Sequence, residues 1–269
     1  MTKERGISLF HAKNYRKVES LEEAYELNQK KSNAIIGGML WLKMSRRNIQ
    51  TAIDLSGLGL DQIEEDAEEF RIGCMCTLRQ LEKHEGLHQY FEGAMKECTR
   101  HIVGTQFRNS ATVGGSIFGR FGFSDILTCF LALDTYVELY HAGVVALSEF
   151  AKMPRDRDIL VRIIIKKDGR KIAYQSHREA ATDFPVIACA VAKKEDTWYV
   201  SVGARSGKAE LSVRQQQVTD AGAFAKEMIS EYTFSSNMRG SEAYRRHLAE
   251  VYTKRAVEKI LAKSSEKGA

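Results

Sequence analysis

Two Gly-Gly pairs, each beside a short apolar stretch, constrain this chain more than any other feature: Ile35-Ile36-Gly37-Gly38 and Thr112-Val113-Gly114-Gly115. Glycine loses more conformational freedom on folding than any other residue, so a pair of glycines marks a place where backbone must approach something closely. Each pair predicts a loop that presents several backbone N–H groups with no Cβ in the way, which is the geometry of a phosphate nest. The second pair opens the run RNSATVGGSIFGRFGFSD at 108–125, in which glycine returns twice more before Asp125. Neither pair leads into the Gly-Lys-Ser/Thr of a P-loop, and neither has the G-x-G-x-x-G spacing of a Rossmann turn. Two such loops in one chain fit a ligand with two phosphates, a dinucleotide held between them.

The surrounding pattern is mixed. SLEEAYELNQKK at 20–31 begins with Ser20 as N-cap, carries Glu22 and Glu23 in its first turn and ends on lysines, so both ends suit the helix dipole. Ala34–Ile36, AIDLSGL at 52–58 and FRIGCMC at 70–76 read as short strands, with helices around 77–84 and 88–100. ILTCFLALD reads as a buried helix, TYVELYHAG as a strand, and LSEFAK closes the segment. From residue 159 the texture changes: ILVRIIIKK, KIAYQSHRE, FPVIACAVAKK and TWYVSVGA are strands in succession, with a hairpin turn at 194–196. Helices at 220–232 and 241–262 follow, and the polar tail KSSEKGA is expected to fray. Strands followed by helices make an antiparallel α+β unit.

Charge and cysteine content narrow the classes. The 269 residues carry 40 basic and 35 acidic side chains, a net +5 spread along the chain rather than gathered in blocks, so there is no nucleic-acid footprint. No apolar run reaches a membrane-spanning length, and MTKERGISLF lacks a signal core, which predicts a cytoplasmic protein. Five scattered cysteines read as reduced, buried thiols. His84-Glu85-Gly86-Leu87-His88 matches the HExxH spacing of zinc hydrolases, but Gly86 weakens the helix that spacing needs and no third ligand accompanies it. Cys74 and Cys76 would share one face of a strand, yet no second pair completes a metal site. No metal ligand set and no side-chain acid or base is therefore assigned.

The series Gly37-Gly38, IDLSGL at 53, RIG-x-x-x-TL at 71, RNSATVGG at 108 and SDIL-x-x-x-LALD at 124 resembles the FAD-binding subunit of molybdenum hydroxylases, the group that includes xanthine and carbon monoxide dehydrogenases. Asp158-Ile159-Leu160-Val161 is similar to the family's acid-leucine strand, and RGSEAYRRHLAEVYTKRA at 239–256 to its C-terminal signature. The resemblance implies a vanillyl-alcohol-oxidase-like (PCMH-type) FAD domain over 1–152, in two parts at about 1–57 and 58–152, followed by a C-terminal α+β domain over 153–269. It implies that Ile35, Ile36, Gly37, Gly38, Met39, Leu40, Trp41 and Leu42 wrap the adenosine and pyrophosphate. Thr112, Gly114, Gly115 and Ser116 would meet the cofactor from the opposite side. Asp125 would hydrogen-bond a cofactor hydroxyl, and Ile102 and Leu160 would lie beside the flavin.

The implied activity is electron transfer from a [2Fe-2S] partner subunit, beside a molybdopterin-bearing one, through FAD in this chain to NAD(P)⁺. The sequence departs from the family at Met39, Leu40 and Trp41, where small or polar residues are usual, and at Ser116, where asparagine is common. The family's lysine near Tyr174 has no counterpart, because Gln175 and Ser176 stand there. Those departures motivate a rival reading, a flavin-free scaffold subunit of such a complex.

Overall fold

The computed structural model describes residues 10–266, so the expected absence of a leader falls outside the described residues. The chain begins β1 (His11–Lys17), α1 (Leu21–Asn28), β2 (Ala34–Ile36), β3 (Asn48–Asp54), β4 (Ile63–Glu65) and β5 (Glu69–Gly73). Short helices follow: α2 (Leu78–Lys83), α3 (Glu85–Tyr90), α4 (Ala94–Thr99), α5 (Thr105–Arg108), α6 (Val113–Phe118) and α7 (Asp125–Leu131). Next come β6 (Thr135–Leu139), β7 (Gly143–Ala146), α8 (Leu147–Phe150) and β8 (Leu160–Lys166). The last part runs β9 (Lys171–His177), β10 (Ile187–Lys194), β11 (Thr197–Gly203), β12 (Glu210–Gln215), α9 (Ala221–Ser230) and α10 (Glu242–Glu266).

Three sheets result. β1 and β2 flank β3 in a small parallel sheet, β4-β5-β8-β6-β7 form an antiparallel sheet of five strands, and β12-β11-β10-β9 form one of four. The α+β class and its antiparallel C-terminal sheet are as the sequence implies. Strand β8 lies beyond the expected boundary at 152/153, yet it is hydrogen-bonded between β5 and β6. Its LVRIIIK run therefore completes the middle sheet.

The alternation in β10 explains how the parts join. Ile187, Cys189 and Val191 point into a core made with Phe224, Met228 and Ile229 of α9 and Val257 and Ile260 of α10. Ala188, Ala190 and Ala192 point the other way, into the core that includes Met95 and Cys98 of α4 and Ile126 and Phe130 of α7. Period-two placement puts large residues on one face and alanines on the other, so α7 seats close to the sheet. A Cβ on Gly203 would lie 2.0 Å from Thr128 Oγ1 of α7, which is why the neighbouring strand carries glycine there. A strand buried on both faces reads as continuous apolar sequence, as this one does.

Several local readings are corrected. Cys74 and Cys76 do not share a strand, because β5 ends at Gly73, where a Cβ would come within 2.2 Å of Leu60 O. Both cysteines sit in the turn that follows, and burial pushes each thiol up to about 12. The HExxH segment is not one helix: His84 adopts an extended conformation, ends α2, and caps α3 by accepting the Leu87 N–H at 3.2 Å. Among the described residues no group of three metal-binding side chains occurs. Strand β12 is an addition to the expected elements, and α10 runs through Glu266. Only the last three residues of the expected frayed tail lie outside the described residues. No helix of the described residues is long and apolar enough to cross a membrane.

Candidate functional site

A single cleft of about 600 Å³ runs between the N-terminal sheet, the α6–α7 segment and the C-terminal domain, a volume ordinary for a cofactor pocket. It gathers every residue that the resemblance assigns to the cofactor: Ile35 through Leu42, Ile102, Thr112, Gly114, Gly115, Ser116, Asp125 and Leu160 all line it. Its walls are mainly apolar and aromatic, and Arg157, Asp158 and Arg178 add polar groups.

The first glycine pair rests on the segment that leads into the second. A Cβ on Gly38 would sit 1.8 Å from Ser110 O, and one on Gly37 would sit 2.7 Å from Thr112 Oγ1. Gly114 packs in the same way onto Cys74, whose carbonyl oxygen would be 2.5 Å from an added Cβ. Gly38 and Gly114 are thus required first for close approach of backbone to backbone, and Gly37 for room beside the Thr112 side chain. Gly115 differs, because its added Cβ would meet only Thr112 Oγ1, at 3.0 Å.

Hydrogen bonding separates the loops further. The second pair is no nest: Val113 N–H donates to Cys76 O at 2.8 Å and Gly114 N–H to Cys74 O at 2.9 Å. Gly115 N–H donates to Thr112 Oγ1 at 3.1 Å and Ser116 N–H to Thr112 O at 3.2 Å. Capping of α6 by Thr112, which the sequence reading missed, consumes those donors. In the first loop, by contrast, none of the six consecutive N–H groups from Gly37 to Leu42 has a partner among the described residues. Met39 there has φ of 58°, the left-handed region that turns successive N–H groups toward a common point. This run of free donors on the cleft wall fits a pyrophosphate, so the residues present suit a dinucleotide.

Asp125 is already engaged. Arg178 Nη2 lies 2.7 Å from both of its carboxylate oxygens, and the Tyr174 hydroxyl donates to Oδ1. Burial pushes the Asp125 carboxyl above its ordinary range, while Arg178 and Tyr174 act against that rise. Burial, reinforced by Asp125, also lifts the Tyr174 hydroxyl well above its usual value. Arg178 is therefore the cation that faces this acid. It lies four residues beyond Tyr174, past the positions where a lysine was sought, and nothing in the local pattern marked it.

Other motif residues act as scaffolding. Arg108 of the RNSATVGG run is buried, donates to Glu82 Oε2 at 2.9 Å and reaches Ile102 O at 3.2 Å, which fixes Ile102 on the cleft wall. Asp158 accepts the N–H groups of His141, Ala142 and Ile159, so it clamps the β6–β7 turn. Arg157 donates to Lys30 O at 2.8 Å and Asn33 O at 2.9 Å, tying the approach to β8 onto the α1–β2 connection. The Ser116 hydroxyl donates to Thr112 O at 3.2 Å.

The chain is similar to known proteins over most of its length. The chain is 26% identical over 239 residues to the uncharacterized protein YgfM of Escherichia coli K12, covering 87% of this chain and 90% of that protein. Quinoline 2-oxidoreductase from Pseudomonas putida 86 shares its fold with a TM-score of 0.80 at 18% identity, covering 92% of this chain and 96% of the matched one. Carbon monoxide dehydrogenase from Hydrogenophaga pseudoflava does so with a TM-score of 0.82 at 20% identity, covering 93% and 97%. Residues 10–167 match the FAD binding domain in molybdopterin dehydrogenase, well over half of the chain. A domain that ends at 167 also coincides with the end of β8. The chain belongs to the family of FAD-binding domains of molybdopterin dehydrogenases.

Proposed function

We propose that this chain is the flavin-carrying electron-transfer subunit of a molybdenum hydroxylase complex, taking electrons from a [2Fe-2S] subunit and delivering them as hydride to NAD(P)⁺, while a molybdopterin subunit oxidises the substrate. The observation that carries the reading is the row of free N–H groups at Gly37–Leu42 on the wall of the cleft. When bound, FAD supplies the one- and two-electron chemistry that joins a single-electron relay to hydride transfer.

The residues of this chain hold and orient the cofactor. Gly37 to Leu42 would donate to its pyrophosphate, and the absent side chains of Gly37 and Gly38 let that loop rest on Ser110 and Thr112. Asp125, oriented by Arg178 and Tyr174, would accept from a cofactor hydroxyl through the remaining lone pairs of its carboxylate. Ile102 and Leu160 would exclude water beside the ring. No proton transfer from a side chain is needed for hydride exchange, so no catalytic acid or base is assigned. Xanthine dehydrogenase-like coupling to NAD(P)⁺ and a cytoplasmic setting are parts of the same proposal. The flavin-free scaffold reading has less support, since the N–H groups of Gly37 to Leu42 have no partner among the described residues and these residues line the cleft. The test is the half-reaction of the FAD-loaded chain alone with a reduced nicotinamide.

A further inference from the structure

The donor loop is held from within the N-terminal part by apolar packing, Met39 and Leu42 on the small core of Ile36, Ile49 and Ala52 and Leu40 on the main core, rather than by hydrogen bonds. From Gly37 to Arg46 its hydrogen bonds, among the described residues, are internal: Lys43 N–H to Met39 O at 2.8 Å, Met44 N–H to Trp41 O at 3.2 Å, and Ser45 N–H and Oγ to Leu42 O at 3.0 and 2.7 Å. It leaves β2 through two glycines, which resist bending less than any other pair. Apolar packing is not directional, so it does not by itself fix where the loop's N–H groups point.

Trp41 adds a tie to other parts of the molecule. The Trp41 indole stacks on Phe184 with ring centroids 5.5 Å apart and planes 26° from parallel. Phe123 lies 5.9 Å away, Phe107 6.3 Å and Phe121 6.5 Å, so four rings surround it. These rings come from α5, from the 119–124 connection and from the segment before β10 in the C-terminal domain. Phe184 is itself held, with Phe123 at 4.5 Å and the Arg239 guanidinium 4.9 Å over its ring. Trp41 remains 42% exposed, so burial of the indole in a core does not account for its placement. Each aromatic contact adds modestly, and four converging on one ring make an anchor.

We propose that Trp41 is a positioning residue: it anchors the Gly37–Leu42 loop to the C-terminal domain and so fixes the loop's N–H groups where a pyrophosphate is bound. The inference rests on the FAD-binding reading above. It gives a role to a residue at which this chain departs from its family.

FAD titration of deflavinated protein, combined with ³¹P NMR of the loaded protein, tests it. Trp41→Ala should weaken FAD binding by about ten- to a hundredfold and move the two pyrophosphate resonances toward those of free FAD. Trp41→Phe, which keeps a ring in place, should restore most of both. Phe184→Ala should act in the same direction without altering the loop, and it serves as the readout if Trp41→Ala does not fold. Parent-like affinity and phosphorus shifts in Trp41→Ala, or in Phe184→Ala, would overturn the anchor while leaving the FAD reading intact. Failure of Trp41→Phe to improve on Trp41→Ala would also overturn it. If the parent protein itself takes up no FAD, both readings fall.

Discussion

Replacing Gly38 with alanine adds one methyl group where the structure has no room for it. The new Cβ would stand 1.8 Å from Ser110 O, 2.5 Å from Ser110 C and 3.1 Å from Ala111 N, all backbone atoms. Ordinary contact begins near 3.4 Å, so the two loops must separate by about 1.6 Å. Overpacking of that kind costs on the order of 1–3 kcal/mol. The functional loss should be larger than the structural one. A displacement beyond 1 Å takes a donor from about 2.9 Å to beyond the roughly 3.5 Å limit of a useful hydrogen bond. With charge-assisted contacts at about 1.5–3 kcal/mol each, the loss of two would weaken FAD binding by about a hundredfold or more. Gly115→Ala is the control, because its Cβ meets only the Thr112 hydroxyl at 3.0 Å. Flavin fluorescence titration gives the affinities, and chemical denaturation gives the stabilities. Should Gly38→Ala bind FAD as tightly as the parent, or should Gly115→Ala be the more damaging of the two, the packing argument would be wrong.

Asp125→Ala leaves Arg178 buried without its acid and should cost about 3–5 kcal/mol of stability as well as weakening FAD binding; replacing Arg178 with methionine in the same chain should recover part of the stability, and an unchanged denaturation midpoint for the single variant would refute the pairing. Acid should loosen the wall that carries Ile102. Burial raises the Glu82 carboxyl, but Arg79 and Arg108 more than offset that and hold it below its usual range. Its contribution to stability is therefore complete above the ordinary carboxylate pKa and disappears as pH falls through the lowered one, so Glu82→Gln should flatten the acid limb of a stability–pH curve.

Much of this site is legible in the sequence because its signals are local. A Gly-Gly pair after Ile35-Ile36 implies close backbone approach whatever lies opposite, and the cleft does collect both pairs. What lies opposite is not local: Gly38 meets Ser110, more than seventy residues away, so the packing of the first pair on the 110–112 segment is invisible in the sequence. The same limit hides Arg178, whose relation to Asp125 exists only once the C-terminal sheet lies against α7. Thr112 was within reach, since a threonine three residues before Gly115 is an N-cap signature that predicts capture of that N–H. Strand β8 misleads for another reason. Its apolar run is equally suited to either sheet, and only hydrogen bonding to β5 and β6 decides the matter.

As proposed, this chain binds FAD and exchanges hydride while a partner oxidises the substrate. Anaerobic stopped-flow absorbance of the purified, FAD-loaded chain tests it most directly. Mixing with NADH or NADPH should bleach the oxidised flavin band near ~450 nm, and xanthine should leave the band untouched until the iron–sulfur and molybdenum subunits are added. Bleaching by xanthine without a partner, or no bleaching by either nicotinamide in a flavin-loaded preparation, would contradict the account.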